Sequence, residues 1–235
     1  MKIRTKKSIL ASLLCLSSFA AVASPVMIKE VSVASGLNSG GLVLPIQSSS
    51  ANFWAGSQNL LLDNTKSLLA FCVDPWEWSP QSNQNYVTSL MDTVFGSSRA
   101  NNIRELYSEA YGSTLIGGAA GNLNAAAFQL ALWELIADNT SNLASGNVHT
   151  VSGTNGALID AAQNLLSHID GHFGSENYEF ALYTSGKSMG VGSAGYQDYL
   201  VVNRVPEPGM ALLMAGALGA LGLVGWRRRK PGLPA

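Results

Sequence analysis

The chain has 235 residues, of which 47% are hydrophobic, only 12% are charged and 24 are glycine. This length suggests one folded domain with targeting segments at its ends. Eight of the fourteen basic residues lie at positions 2–7 and 227–230, which leaves six Lys and Arg against fifteen Asp and Glu, a net charge of −9, in between. So acidic a domain excludes a basic nucleic-acid interface and argues against electrostatic binding to an acidic polymer.

Residues 1–23 have the composition of a secretory signal peptide. Basic residues at positions 2–7 precede an apolar segment at 9–20 and a small-x-small cleavage site of sequence Ala-Val-Ala. This order predicts export through the Sec translocon and cleavage between Ala23 and Ser24.

Cysteine content then becomes informative. Cys15 would be removed with the signal peptide, so Cys72 is the one cysteine of the mature domain and cannot form an intramolecular disulfide. A lone thiol outside the cytoplasm is expected to be buried, paired with another chain or used chemically.

The exported domain, residues 24–204, is predicted to begin with short strands separated by Gly-, Ser- and Asn-rich turns. These strands are Met27–Val33, Leu42–Ile46, Ala51–Ala55, Asn59–Leu62 and Ser67–Val73. The last is the clearest, and alternation places Leu68, Ala70 and Cys72 on one face and Leu69, Phe71 and Val73 on the other.

The centre of the domain changes to a helical period. Helices are predicted at Asn83–Phe95, Ser98–Tyr111, Asn122–Asp138 and Thr154–Asp170, with a flexible joint at Gly117–Gly121 and closing strands at Glu179–Tyr183 and Asp198–Arg204. Strands, then helices, then strands indicate an α+β fold, a short-stranded sheet or barrel with a central block of helices.

A helical wheel of the third helix places one polar side chain, Gln129, on its apolar face. Glu134 and Asp138 point away from that face. A buried amide needs hydrogen-bond partners, and the simplest interpretation is a core glutamine that bonds a strand or loop backbone.

Cys72 and Gln129 lie in segments that resemble the paired motifs of thioester domains from bacterial surface adhesins. The motifs here are Phe71-Cys72-Val73 and Gln129-Leu130-Ala131-Leu132-Trp133, although Phe128 stands where that family usually has Thr. The resemblance implies a Cys72–Gln129 thioester that captures an amine or hydroxyl on a target surface. A buried free Cys72 is the alternative.

Trp76 and Trp78 follow the Cys72 strand closely. With Trp133, they are candidates either for the surroundings of a thioester or for a platform on which sugar rings stack. His168 and His172 have i,i+4 spacing, but Gly171 is expected to end the helix between them, so no metal site is predicted. The sequence suggests no cofactor and no enzymatic activity.

The C-terminal segment, 205–230, has three parts in a fixed order. Pro206, Glu207 and Pro208 come first, followed by an apolar segment at 210–226 that would span roughly 25 Å as a transmembrane helix. The cations Arg227, Arg228, Arg229 and Lys230 come next and would remain cytoplasmic. Residues 231–235 form a short tail.

This segment resembles the PEP-CTERM sorting signal of exported bacterial proteins. The resemblance implies recognition and processing by an exosortase-type membrane transpeptidase. The protein would be anchored transiently in the inner membrane and then delivered to the cell surface or extracellular matrix. An ordinary tail anchor that is never cleaved is the alternative.

Together these features predict an exported surface or matrix protein that attaches covalently through a Cys72–Gln129 thioester. The alternative is a module that binds exopolysaccharide or matrix without a covalent bond.

Overall fold

The computed structural model describes residues 24–171, 178–185, 195–204 and 216–218. In this part of the chain the strands are β1 (Val26–Asn38), β2 (Leu42–Leu44), β3 (Gln47–Ala51), β4 (Trp54–Leu62), β5 (Lys66–Cys72), β6 (Gln84–Ser89), β7 (His149–Thr150), β8 (Tyr178–Thr184) and β9 (Tyr199–Arg204). The helices are α1 (Met91–Phe95), α2 (Ser97–Ala110), a 3₁₀ helix (Tyr111–Leu115), α3 (Gly118–Ala137) and α4 (Gly156–Ser167).

Six of these strands close into an antiparallel barrel in the order β1-β4-β5-β9-β8-β6. The strands β3, β2 and β7 form a second, small sheet. The predicted α+β class is confirmed, with the helices inserted between β6 and β8 in the sequence.

Two apolar clusters hold these layers together. The smaller cluster fills the barrel and contains Ile28, Leu60, Ala70, Tyr86, Tyr199 and Val201. The larger cluster is built around α3 and includes Phe71, Cys72 and Val73 from the end of β5. Both faces of β5 are therefore buried near its end, which explains why its sequence is almost continuously apolar.

The helix α3 is buried on all sides. Every residue from Ala125 to Ile136 is buried, because strands and helices pack around it. The wheel placed Glu134 on a far face, but this side chain is fully buried and accepts a hydrogen bond from Thr140. A helix whose surroundings are protein on every side has no solvent face, so amphipathicity gave the wrong environment for Glu134.

Three other predictions about local structure are wrong. Residues 84–89 of the expected helix Asn83–Phe95 form β6, because Tyr86 packs inside the barrel and the segment pairs with β1 and β8. The strand β1 continues to Asn38 through a region expected to be a loop, with a register shift between Val33 and Gly36. The expected flexible joint is mostly the first turn of α3, which begins at Gly118.

Gly36 makes this extension of β1 possible. It pairs with Gly56 of β4, and a Cβ atom on Gly36 would lie 2.3 Å from the carbonyl oxygen of Ala55. Only glycine therefore permits the two strands to approach this closely.

Candidate functional site

Cys72 is the last residue of β5, at the end of the barrel that meets α3. Its Cα is paired with that of Tyr199 in β9, and the next N–H group, of Val73, donates to the carbonyl oxygen of Asp198 at 3.0 Å. The thiol is fully buried and free. Strand pairing therefore fixes the backbone of Cys72 at the edge of the helical core.

Gln129 extends from α3 to this strand end. Its Oε1 accepts a hydrogen bond from the N–H of Cys72 at 3.0 Å, and its Nε2 donates to the carbonyl oxygen of Cys72 at 2.8 Å. The amide is completely buried. The fold thus brings together two predicted site residues that are 57 positions apart, and the side chain of one binds the backbone of the other.

Trp133, one turn further along α3, contacts the thiol directly. Its Nε1–H donates to Sγ of Cys72 at 3.3 Å, and Sγ is 3.5 Å from the carbonyl oxygen of Asp74. Burial raises the pKa of the Cys72 thiol well above its usual range, and the hydrogen bond from Trp133 offsets this only in part. While its sulfur is not cross-linked, burial therefore disfavours the thiolate form of Cys72.

Asp74 and Asp198 are two buried carboxyl groups close to Cys72. Oδ1 of Asp74 accepts from the N–H of Trp76 at 3.0 Å, and Oδ1 of Asp198 accepts from the N–H of Ser185 at 2.7 Å. Oδ2 of Asp198 has no hydrogen-bond partner among the described residues. Burial raises the pKa of Asp74 to about 6 and that of Asp198 to about 7, and repulsion from the Asp74 carboxylate contributes to the latter.

Sequence reasoning missed this pair of carboxyl groups. Asp74 lies in the turn that follows β5 and is only 2% exposed. Asp198 directly precedes β9, and the pairing of β5 with β9 brings it beside Val73. The sequence does not show which strands pair, so the only available signal was a carboxylate at the end of each strand.

A cavity of about 430 Å³ lies on the other side of Trp133. Its wall is made by β1, β2, β4, the segment after β5, α3 and Gln197. The lining residues are Glu30, Val33, Leu44, Ile46, Phe53, Trp54, Gln58, Pro75, Glu77, Trp78, Ser79, Gln81, Trp133 and Gln197. We call this space the tryptophan cavity. Cys72 is not among the lining residues, whereas Trp133 both lines the cavity and contacts Sγ of Cys72.

The three candidate tryptophans have different environments. Trp76 is half-buried and packs against the helical core. Trp78 is 61% exposed, lines the tryptophan cavity and lies with its ring 6.2 Å from that of Phe53. The surroundings of the thiol are thus provided by Trp133, whereas Trp78 has the exposure that a ligand platform requires.

His168 lies directly after the helix α4. The helix α4 ends at Ser167, before His168, so the expected helix end at Gly171 is three residues too late, and His172 lies outside the described residues. No group of three or more His, Cys, Asp or Glu that could hold a metal ion occurs in the described parts of the chain.

Most of the targeting residues also lie outside the described residues. These are the signal peptide through Ala23, the sorting residues Pro206, Glu207, Pro208, Arg227, Arg228 and Arg229, and the transmembrane helix expected at 210–226 apart from residues 216–218, which are helical. Ser24 is the first residue described. Among the helices that the structure does describe, none has the length and apolar character needed to span a membrane.

Comparison with known proteins identifies the tail. The PEP-CTERM protein-sorting motif matches residues 204–230, which confirms the resemblance found in the sequence. This motif implies export, transient membrane anchoring and processing by an exosortase-type membrane enzyme. It covers only the C-terminal end and leaves the domain at 24–204 unassigned.

No curated protein sequence matches the chain. Among solved structures, the domain is similar to the N-terminal domain of the Streptococcus pyogenes pilus tip adhesin Cpa, with 14% identity and a TM-score of 0.46. The similarity covers 80% of this chain and 97% of that one.

Proposed function

We propose that this protein is a non-enzymatic surface or matrix protein that attaches covalently through a thioester between Cys72 and Gln129. The observation that supports this function is the position of the Gln129 carboxamide. Its Oε1 and its Nε2 are both hydrogen-bonded to the backbone of Cys72. Export through the PEP-CTERM tail would deliver the domain to the surface where targets are available.

The proposed cross-link forms by acyl transfer within the folded domain. The sulfur of Cys72 attacks Cδ of Gln129, the Cδ–Nε2 bond breaks, and a Sγ–Cδ bond replaces it. The thiol proton leaves with the departing nitrogen as part of ammonia, so no external reactant is consumed. Because the fold holds the Cys72 residue against the Gln129 carboxamide, the reaction needs no encounter between separate molecules. This positioning is the main requirement for such an acyl transfer.

The backbone of Cys72 would also stabilise the negative charge that develops during this reaction. Its N–H group already donates to Oε1 of Gln129 at 3.0 Å, and this oxygen acquires negative charge as sulfur adds to the carbonyl carbon. A donor that is in place before the reaction stabilises that charge without reorganisation. The indole N–H of Trp133, at 3.3 Å from Sγ, would likewise stabilise sulfur as its charge increases.

Attachment to a target would break the thioester and make Cys72 the leaving group. An amine or hydroxyl attacks Cδ of the thioester, the Sγ–Cδ bond breaks, and the target is joined to Gln129 while Cys72 becomes a thiol again. Both site residues are buried. Trp133 contacts Sγ and also lines the tryptophan cavity, so its displacement would open a route from the cavity to the bond.

The same two hydrogen bonds would also satisfy an ordinary core glutamine, so the chemistry must be tested directly. If the thioester forms, the freshly purified exported domain should be lighter than its sequence mass by one ammonia and should have no free thiol. Methylamine should add at Gln129 and release the thiol of Cys72 in the same step. Intact mass spectrometry and peptide mapping measure both changes.

Two variants and a control make this test specific. Cys72→Ala and Gln129→Ala should each abolish both the mass deficit and the methylamine adduct. Gln163→Ala, which changes a glutamine on α4, should leave both intact. A fresh protein of full mass, with an unmodified Gln129 and a free Cys72 thiol on unfolding, would refute the thioester.

A further inference from the structure

The wall of the tryptophan cavity combines aromatic rings with polar groups that are mostly uncharged. Trp78 is exposed beside Phe53, and the amides of Gln58, Gln81 and Gln197 and the hydroxyl of Ser79 face the same space. The wall contains the carboxylates of Glu30 and Glu77 but no Lys, Arg or His among the described residues. Because no positive charge is available there, an acidic ligand is disfavoured.

Two polar groups in this wall lack hydrogen-bond partners within the described structure. They are Nε1–H of Trp54, a donor, and Oε1 of Gln58, an acceptor, and both atoms are buried. An unpaired buried polar group is costly, so it is normally satisfied by protein, water or a ligand. Gln58 is otherwise bonded only weakly, through Nε2 to Oε1 of Gln197 at 3.4 Å.

The chemistry of these two groups discriminates between classes of ligand. A hydroxyl group can accept from Trp54 and donate to Gln58, whereas an ammonium group has no lone pair and would leave the indole N–H unpaired. The volume of about 430 Å³ is within the range of small-ligand sites. A ring that carries several hydroxyls could satisfy both groups and stack on Trp78.

We propose that the tryptophan cavity is a binding site for a neutral sugar residue of a polysaccharide, with Trp78 as the stacking platform and Trp54 and Gln58 as hydroxyl partners. Binding at this site is non-covalent and does not require the cross-link. Its further role rests on the proposed thioester: since Trp133 contacts both the cavity and Sγ of Cys72, a bound sugar would lie against Trp133, and displacement of this side chain would expose the reactive bond to the sugar hydroxyls.

The test is direct binding to sugars of defined charge, with the exported domain carrying Cys72→Ala so that no thioester can form. Tryptophan fluorescence and calorimetry would measure binding of the neutral oligosaccharides maltohexaose, cellohexaose and laminarihexaose. An oligogalacturonate and Nα-acetyl-lysine amide serve as the acidic and cationic comparisons. At least one neutral oligosaccharide should bind, and neither charged probe should compete with it.

Variants then locate the site. Trp78→Ala should weaken binding of the neutral oligosaccharide by about tenfold or more, because it removes the platform but is too exposed to disturb the core. Gln58→Leu should weaken it by a similar factor. Leu115→Ala, at an apolar residue that is 52% exposed and lies outside the cavity, is the matched control and should bind like the parent.

Several results would overturn the proposal: no neutral oligosaccharide bound at millimolar concentration, preference for the lysine derivative, or full affinity in Trp78→Ala. These outcomes are separate from failure of the thioester, which is measured by mass on the protein with Cys72 intact. A full-mass protein that still binds the sugar would refute the cross-link and leave the sugar site standing.

Discussion

The buried carboxyl group of Asp198 should make the stability of the domain depend on pH. Burial and the neighbouring Asp74 raise the pKa of Asp198 from 3.8 to about 7 in the folded protein. Because the folded protein binds this proton more tightly than the unfolded chain, the associated stability is fully present below about pH 4. It is lost as the pH rises through 7.

The size of the effect follows from the same shift. A change from 3.8 to about 7 corresponds to roughly 4 kcal/mol when the carboxyl is fully ionised, at about 1.4 kcal/mol per pKa unit. Between pH 5 and pH 8, Asp198 should therefore remove about 2.5 kcal/mol from the free energy of unfolding. The asparagine in Asp198→Asn stays neutral and can still accept the hydrogen bond from Ser185. The free energy of unfolding of this variant should therefore not fall by this amount between pH 5 and pH 8.

Urea denaturation at pH 5 and pH 8 measures the difference. Both proteins should carry Cys72→Ala, so that a cross-link does not affect the unfolded state. The difference in free energy of unfolding between the variant and its parent should shift by about 2.5 kcal/mol in favour of the variant from pH 5 to pH 8. Asp160→Asn, at an exposed position on α4, should change the free energy of unfolding by less than about 0.5 kcal/mol at either pH. If the free energy of unfolding changed equally with pH in Asp198→Asn and in its parent, the burial of an ionisable group at this position would be refuted.

Other predictions concern packing and sorting. Leu132→Asp, beside Gln129 on α3, should cost at least about 3 kcal/mol in urea denaturation because it buries a polar group in a fully enclosed position. Asp138→Ala should cost about 1–2 kcal/mol, since Asp138 accepts three hydrogen bonds from the loop after α3; no change would contradict this. Neutral residues in place of Arg227–Arg229 should block processing of the tail in the native host. A mature protein that retains residues 210–235 would refute the sorting interpretation.

The prediction for Asp138 differs from what the helical wheel suggests. On the wheel, Asp138 points away from the apolar face, and a surface substitution there would have little effect. The structure shows instead that its carboxylate holds Asn147 and Val148 in the loop after α3. A periodic pattern gives the direction of a side chain but not what lies in that direction.

Local sequence pattern predicted secondary structure well for one long segment and wrongly for a short one. The helix α3 was predicted within a few residues because it is long and rich in alanine and leucine, so propensity and burial agree. The segment at 84–89 was predicted as helix and is strand β6, because its conformation depends on partners far away in the sequence. Short segments carry too little local preference to resist such pairing.

The sequence by itself indicated the candidate site residues Cys72 and Gln129 and the sorting motif of the tail. The predicted signal peptide, the cysteine at position 72, the glutamine among the apolar residues of α3 and the three-part tail are all properties of local sequence. The sorting motif is confirmed, because its information lies in the order of residues over a short segment.

Only the tertiary structure decided what surrounds that chemistry. Closure of the barrel pairs β5 with β9 and brings Asp198 beside Cys72, while packing of α3 across the barrel end places Gln129 on the Cys72 backbone. The tryptophan cavity likewise draws its wall from segments between residues 30 and 197. These neighbours are far apart in sequence, and the free energy that joins them comes from burial of the whole core rather than from any local pattern.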